Sequence, residues 1–146
     1  MNTSTLVKKV LPYAAATTGA VTNGTIIDLG SPTEGGFDSV RFTLSPGIVL
    51  ATGTILMKAY CGNVSTLTDG AYATTQVLVT APTPTTKTDV PVHLDIVRPG
   101  KRYVRLDYTL AAANTAVDCV LATLYNSKNK PTVQPNADSK TSVNMG

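Results

Sequence analysis

A chain of 146 residues with 42% hydrophobic content is most simply one domain, long enough to bury about two thirds of the surface that its unfolded form exposes. Charged residues make up only 14%, well below the roughly 25% of ordinary soluble domains, and with no Trp and two Phe the core must be built from Val, Ile, Leu and Ala. A net charge of +3 is too small by itself to argue for nucleic acid, and two cysteines do not make a disulfide framework.

Residues 1–24 are small and polar, with Leu6, Val7, Val10 and Leu11 as anchors, and read as an N-terminal arm. A strand pattern starts at Thr25, and Ile26–Leu29 ends on the turn signal Gly30-Ser31-Pro32. Between Phe37 and Ser45 the chain alternates, Val40, Phe42 and Leu44 on one face against Arg41, Thr43 and Ser45 on the other. From Ile48 to Cys61, interrupted at Gly53, Ile55, Met57, Ala59 and Cys61 share a face opposite Thr54, Lys58 and Tyr60. A loop from Gly62 to Gly70 leads to a strand through Gln76–Thr80. Ala81–Thr86 breaks the ladder, because its prolines have no N–H to donate. Val92-Leu94-Ile96, Val104-Leu106-Tyr108 and Val117–Tyr125 complete the set.

Seven or eight short strands with regular turn signals predict an all-β fold, an antiparallel β-sandwich of jelly-roll type over residues 25–126. The 24 threonines suit the half-buried outward faces of such sheets. The best helical stretch, Leu110–Asn114, is too short to stand alone. Residues 127–146 lose periodicity and read as a flexible C-terminal tail, like the N-terminal arm. Cys61 and Cys119 read as small apolar strand residues in a reducing compartment. No apolar run has the length of a membrane span or of a signal peptide's central segment, so the expectation is a soluble chain made in a cytoplasm, with no membrane partner.

Catalytic chemistry finds little to work with. The single histidine, His93, sits on an alternating strand and faces solvent or a neighbouring acid; the single Glu, Glu34, lies in a Gly/Pro loop. Two distant cysteines and scattered aspartates do not have metal-ligand spacing, and Gly35-Gly36 lacks the Lys and helix of a phosphate loop. The expectation is a non-enzyme with no cofactor and no metal.

Most local positive charge collects at one corner, Asp95-Ile96-Val97-Arg98-Pro99-Gly100-Lys101-Arg102-Tyr103-Val104-Arg105. If the two flanking strands are direct neighbours, keeping apolar residues together opposes Leu94 to Val104 and Val92 to Leu106, with Gly100 at positive φ. Arg98, Lys101, Arg102, Arg105 and Tyr103, with Lys128 and Lys130 of the tail, form the candidate protein-interaction site. Arg suits a partner's carboxylates because its planar fork binds them in two places. The plainer reading is a solvated hairpin end whose charge keeps a sheet margin soluble. Nucleic acid is not expected as a partner, since Arg102 and Arg105 alternate to opposite faces and Asp95 and Asp107 dilute the patch.

This segment resembles one found in a family of small structural proteins of tailed-phage heads, with the pattern Asp-x-x-Arg-Pro-x-Lys-Arg-Tyr-Val-Arg. The matching residues are Asp95, Arg98, Pro99, Lys101, Arg102, Tyr103, Val104 and Arg105; Asn114–Asp118, Leu124-Tyr125 and Lys128-Asn129-Lys130-Pro131 follow in the family's order. The similarity spans residues 25–133 loosely and 92–131 closely. After Tyr125 this chain has Asn-Ser-Lys-Asn-Lys where the family has a Gly-containing basic run. The resemblance implies a head decoration or cement protein: a sandwich on the virion's capsid exterior, made in the host cytoplasm, that bridges subunits of the major capsid protein, often as a homotrimer. Two other readings remain at this stage. One is a coat protein that forms a shell from the same sandwich; the other is a glycan-binding, adhesin-like module using Tyr60, Tyr72, Tyr103 and Tyr108.

Overall fold

The computed structural model describes residues 6–11, 21–30, 36–49, 53–80, 86–87, 91–111 and 116–128. Their eleven strands are β1 (Leu6–Leu11), β2 (Val21–Asn23), β3 (Ile27–Asp28), β4 (Phe37–Pro46), β5 (Ile48–Val49), β6 (Thr54–Gly62), β7 (Ala71–Thr80), β8 (Thr86–Lys87), β9 (Val92–Val97), β10 (Tyr103–Ala111) and β11 (Val117–Ser127). One sheet has the order β1-β11-β4-β9; the second runs β2-β10-β6-β7, with β3 also on β10, and β5 and β8 form a small ribbon. All pairings are antiparallel.

Leaving aside the two-residue strands, successive strands change sheet at every step except the β6–β7 hairpin. This interleaving makes the sandwich a jelly roll. Stretches within residues 1–24 contribute to both layers: β1 pairs with β11 and β2 with β10. At the other terminus β11 runs to Ser127, whereas residues 129–146 lie outside the described residues.

The alternation anticipated along the chain becomes the dry interior. Val40, Phe42 and Leu44 of β4, with Leu94 and Ile96 of β9 and Val120, Ala122 and Leu124 of β11, face Ile55, Met57 and Ala59 of β6 and Val104, Leu106 and Leu110 of β10. All are buried, each larger one contributing about 1.5–3 kcal/mol on transfer from water. Cys61 is buried and Cys119 half-buried, and both are free thiols.

The hairpin register considered for β9 and β10 is not made. β9 pairs with β4, Leu94 opposite Phe42, while β10 pairs with β6, Val104 opposite Cys61. The Pro99-Gly100 corner carries the chain between sheets instead of reversing it within one. Gly100 does take the positive φ expected there, 65°.

Tyr108 departs most from its expected use. It is 1% exposed, and its hydroxyl has no hydrogen-bond partner among the described residues, so it is a core residue and not a sugar platform. A buried hydroxyl left unpaired costs about 1–3 kcal/mol. Tyr108→Phe is therefore expected to raise stability by about 1 kcal/mol, read as a higher urea midpoint at unchanged slope; a drop in the midpoint would show that the hydroxyl is satisfied.

Candidate functional site

At one end of the sandwich the β9–β10 crossing walls a cavity of about 520 Å³. Arg98, Lys101 and Arg102 line it from the crossing and Lys128 from the residue after β11, together with Asn63, Asp38 and Phe37. The crossing is tied to the first sheet through Ser39, a fully buried residue of β4. The Arg98 amide donates to Ser39 Oγ at 3.3 Å, and Asn126 Nδ2 donates to the same oxygen at 3.4 Å. Arg98 itself has φ 47°, a conformation that costs a side-chain-bearing residue of order 1 kcal/mol or more. Strain of this kind persists only where surrounding contacts impose it.

The acids nearby are committed. Arg102 makes a two-point fork on Asp28, Nε to Oδ1 and Nη2 to Oδ2 both at 2.9 Å, and lies over the Tyr103 ring at 5.2 Å. Lys128 Nζ is 3.1 Å from Asp38 Oδ1, and its amide donates to the Gly36 carbonyl. Among the described residues Arg98 and Lys101 make no such ion pair, and Lys101 is near enough to Asp69 to help lower the pKa of that carboxyl. Lys101 also borders a second cleft of about 330 Å³ between β7 and β9, which reaches Cys61. Burial raises the Cys61 thiol pKa, and the nearby Lys101 opposes that shift.

Of the seven residues grouped from the sequence, the structure brings Arg98, Lys101, Arg102 and Lys128 around one cavity. Arg105 sits elsewhere, on the outer face of the second sheet, where it forks onto Asp107 at 2.7 and 2.9 Å. Tyr103 lies at the start of β10 beneath the Arg102 guanidinium, and Lys130 is outside the described residues.

Sequence reasoning missed the cluster around Arg105. Asp107 was read as diluting a basic patch, but it is 2% exposed and also accepts from the Tyr72 hydroxyl at 3.2 Å. Tyr60 and Tyr72 meet edge to face at 4.8 Å, with Arg105 over the Tyr60 ring and Lys58 over the Tyr72 ring. The tight packing extends to Gly70, where an added Cβ would lie 2.3 Å from the Tyr60 ring. Of the four tyrosines weighed as sugar platforms, Tyr108 is interior, Tyr60 and Tyr103 each have an Arg over the ring, and Tyr72, with Lys58 over its ring, is still 48% exposed. His93 is exposed, with Nδ1 3.1 Å from the Thr43 hydroxyl. Among the described residues no three His, Cys, Asp or Glu side chains gather as metal ligands would.

No protein-family model and no curated protein matches this chain. Two of the solved structures similar to it are of infectious bursal disease virus. The Gt-strain structure aligns over 87% of this chain at 12% identity with a TM-score of 0.45, and the Gx-strain structure over 88% at 13% with a TM-score of 0.47. This chain spans about a third of each of those chains, 33% and 32%.

Three carboxylates are held below their ordinary pKa. For Asp28 the leading cause is the Arg102 fork, and for Asp69 the amides of Asn63 and Val64, which also fold the β6–β7 loop. At Asp95 burial pushes upward but is outweighed by hydrogen bonds from Tyr125 and Arg41. Because the folded values are depressed, the unfolded chain binds more protons at acid pH. The stability from these groups is present above the unfolded value, about 4, and is lost as the pH falls through the folded ones. Urea midpoints are expected to decline below about pH 4, and Asp28→Asn to be less stable than the parent at pH 7 with a shallower acid decline. An unchanged acid slope in Asp28→Asn would rule out the fork as a contributor.

Proposed function

We propose that this chain is a non-enzymatic structural protein of the virion, which binds the exterior of a tailed-phage capsid lattice and stabilises it as a decoration or cement protein. The observation that carries this reading is the cavity at the β9–β10 end, where Arg98 and Lys101 make no ion pair among the described residues. Double-sheet jelly rolls recur in viral capsid and lectin domains and in cupins, which is support at the level of fold alone. The Asp95–Arg105 resemblance selects among these. Several residues of that motif hold the fold: Asp95 bonds Arg41 and Tyr125, and Arg102 bonds Asp28. Arg98 and Lys101 are left to face a partner.

The partner is then the major capsid protein, offering carboxylates or carbonyls at the seam between neighbouring subunits, where an Arg fork and a Lys act together. Neither nucleic acid nor membrane is needed, and the place of action is the capsid exterior after synthesis in the host cytoplasm. A trimer is the assembly that the resemblance implies.

The test is co-sedimentation with tailed-phage capsids that lack the protein. Arg98→Ser with Lys101→Ser is expected to weaken capsid binding at least about tenfold, the effect of losing roughly 1.4 kcal/mol, with no change in melting temperature. Arg105→Ser, which strips a buried carboxylate of its cation, is expected to lower the melting temperature while leaving capsid binding intact once folded. Undiminished binding by the double variant would remove the cavity from this role. Shells formed by the purified chain alone would replace decoration by a coat protein.

A further inference from the structure

The sandwich has four edge strands, and three of them carry devices that discourage pairing with another strand. β1 carries Lys8 and Lys9, β2 is three residues long, and β9 contains His93 and Asp95 between Pro91 and Pro99. β7 differs. Ala71–Thr80 is ten residues, Ala-Tyr-Ala-Thr-Thr-Gln-Val-Leu-Val-Thr, with no charge and no proline. A register irregularity opposite Lys58–Tyr60 interrupts its first half, but Gln76–Thr80 pairs regularly with Lys58–Thr54. Its other side has no neighbour in the sheet among the described strands.

The outer face points to the same place. The registers align Val21, Thr109, Leu56 and Leu78 in one row across β2, β10, β6 and β7. Val21 is 53% and Leu78 59% exposed, so an uncharged row, aliphatic except for Thr109, crosses the sheet and stops at the unguarded edge. The first sheet has no equivalent, because Arg41, Asp95 and Tyr125 bond to one another across its outer face and Thr43 bonds His93.

We propose that Gln76–Thr80 pairs antiparallel with the same segment of a second copy, about a twofold axis through Leu78. That register opposes residue 76 to 80 and 77 to 79, sets Leu78 against the second copy's Leu78, and keeps every outward residue outward. The uncharged row then runs through the axis from one Val21 to the other, with Leu56 and Leu78 of both copies at its centre. A second copy fits better than a charged partner strand, because β7 offers no charge to complement one, and self-pairing of an uncharged strand opposes no like charges. The contact is isologous and closes at two copies, in place of the trimer that the resemblance implies.

Sedimentation of the full chain over a wide concentration range is expected to show monomer and dimer in exchange. Leu78→Lys, which puts two ammonium groups at the axis, is expected to weaken the dimer at least about tenfold. Val97→Lys, at a residue equally exposed on the β9 edge, is expected to leave it intact. In a Cys119→Ser background, Leu78→Cys is expected to cross-link to a dimer on oxidation and Gln76→Cys is not, which tests the register even if the lysine variant misfolds. A monomer or a three-copy mass at all concentrations, a dimer that survives Leu78→Lys, or equal cross-linking by both cysteine variants would overturn the proposal. Each of these results is independent of whether capsids are bound.

Discussion

Each main strand of this chain has one apolar face, mostly of aliphatic side chains with Phe37, Phe42 and Tyr108 among them, and no single strand can bury its face alone. The two sheets must therefore close on each other along their full length. The interleaved strand order follows that demand, since moving to the other sheet at almost every connection places sequence neighbours on opposite walls of one core. A consequence is that most connections span the ends of the sandwich. The β9–β10 crossing is one of them, and its basic residues are carried to the end of the molecule because the chain has to change layer there.

What holds that crossing is a set of contacts between residues far apart in sequence. Asp28 and Arg102 are 74 positions apart, and Ser39 meets the Arg98 amide across 59. These exposed ion pairs contribute little energy individually. Their effect is directional: the Arg102 fork fixes where β10 begins, and Asp95 joins β9 to β4 through Arg41 and to β11 through Tyr125. In the Asp95–Arg105 segment, conspicuous residues such as Asp95 and Arg102 serve the architecture, which a short motif cannot distinguish from a binding role.

Period-two alternation made the buried faces of β4, β6, β9 and β10 legible from the sequence, because each is a local property of five to ten residues. It could not say which strand lies beside which. The preference for Leu94 opposite Val104 was sound for adjacent strands, and it failed to apply because these two belong to different layers. Asp107 illustrates the same limit. On its own strand it looks like a solvent-facing acid, and only the arrival of Tyr72 from β7 and the fold-back of Arg105 bury it. The row from Val21 to Leu78 needs three registers at once, so no window of sequence contains it.

The thin charge of the chain takes on meaning once its pairs are known. Of four arginines, Arg41, Arg102 and Arg105 are each bonded to an aspartate, and Arg98 is the exception among the described residues. With most arginines neutralised locally, the two surfaces proposed for recognition are places left over: the cationic end and the neutral edge. These do not overlap. Leu78 aligns with Thr109, six residues along β10 from Tyr103, on the order of 20 Å at 3.4 Å per residue. A pair of copies joined at Leu78 would thus carry its two cationic cavities at opposite outer ends. On a repeating lattice that spacing would convert two modest contacts into one tenacious attachment, since engaging the first end raises the local concentration of the second.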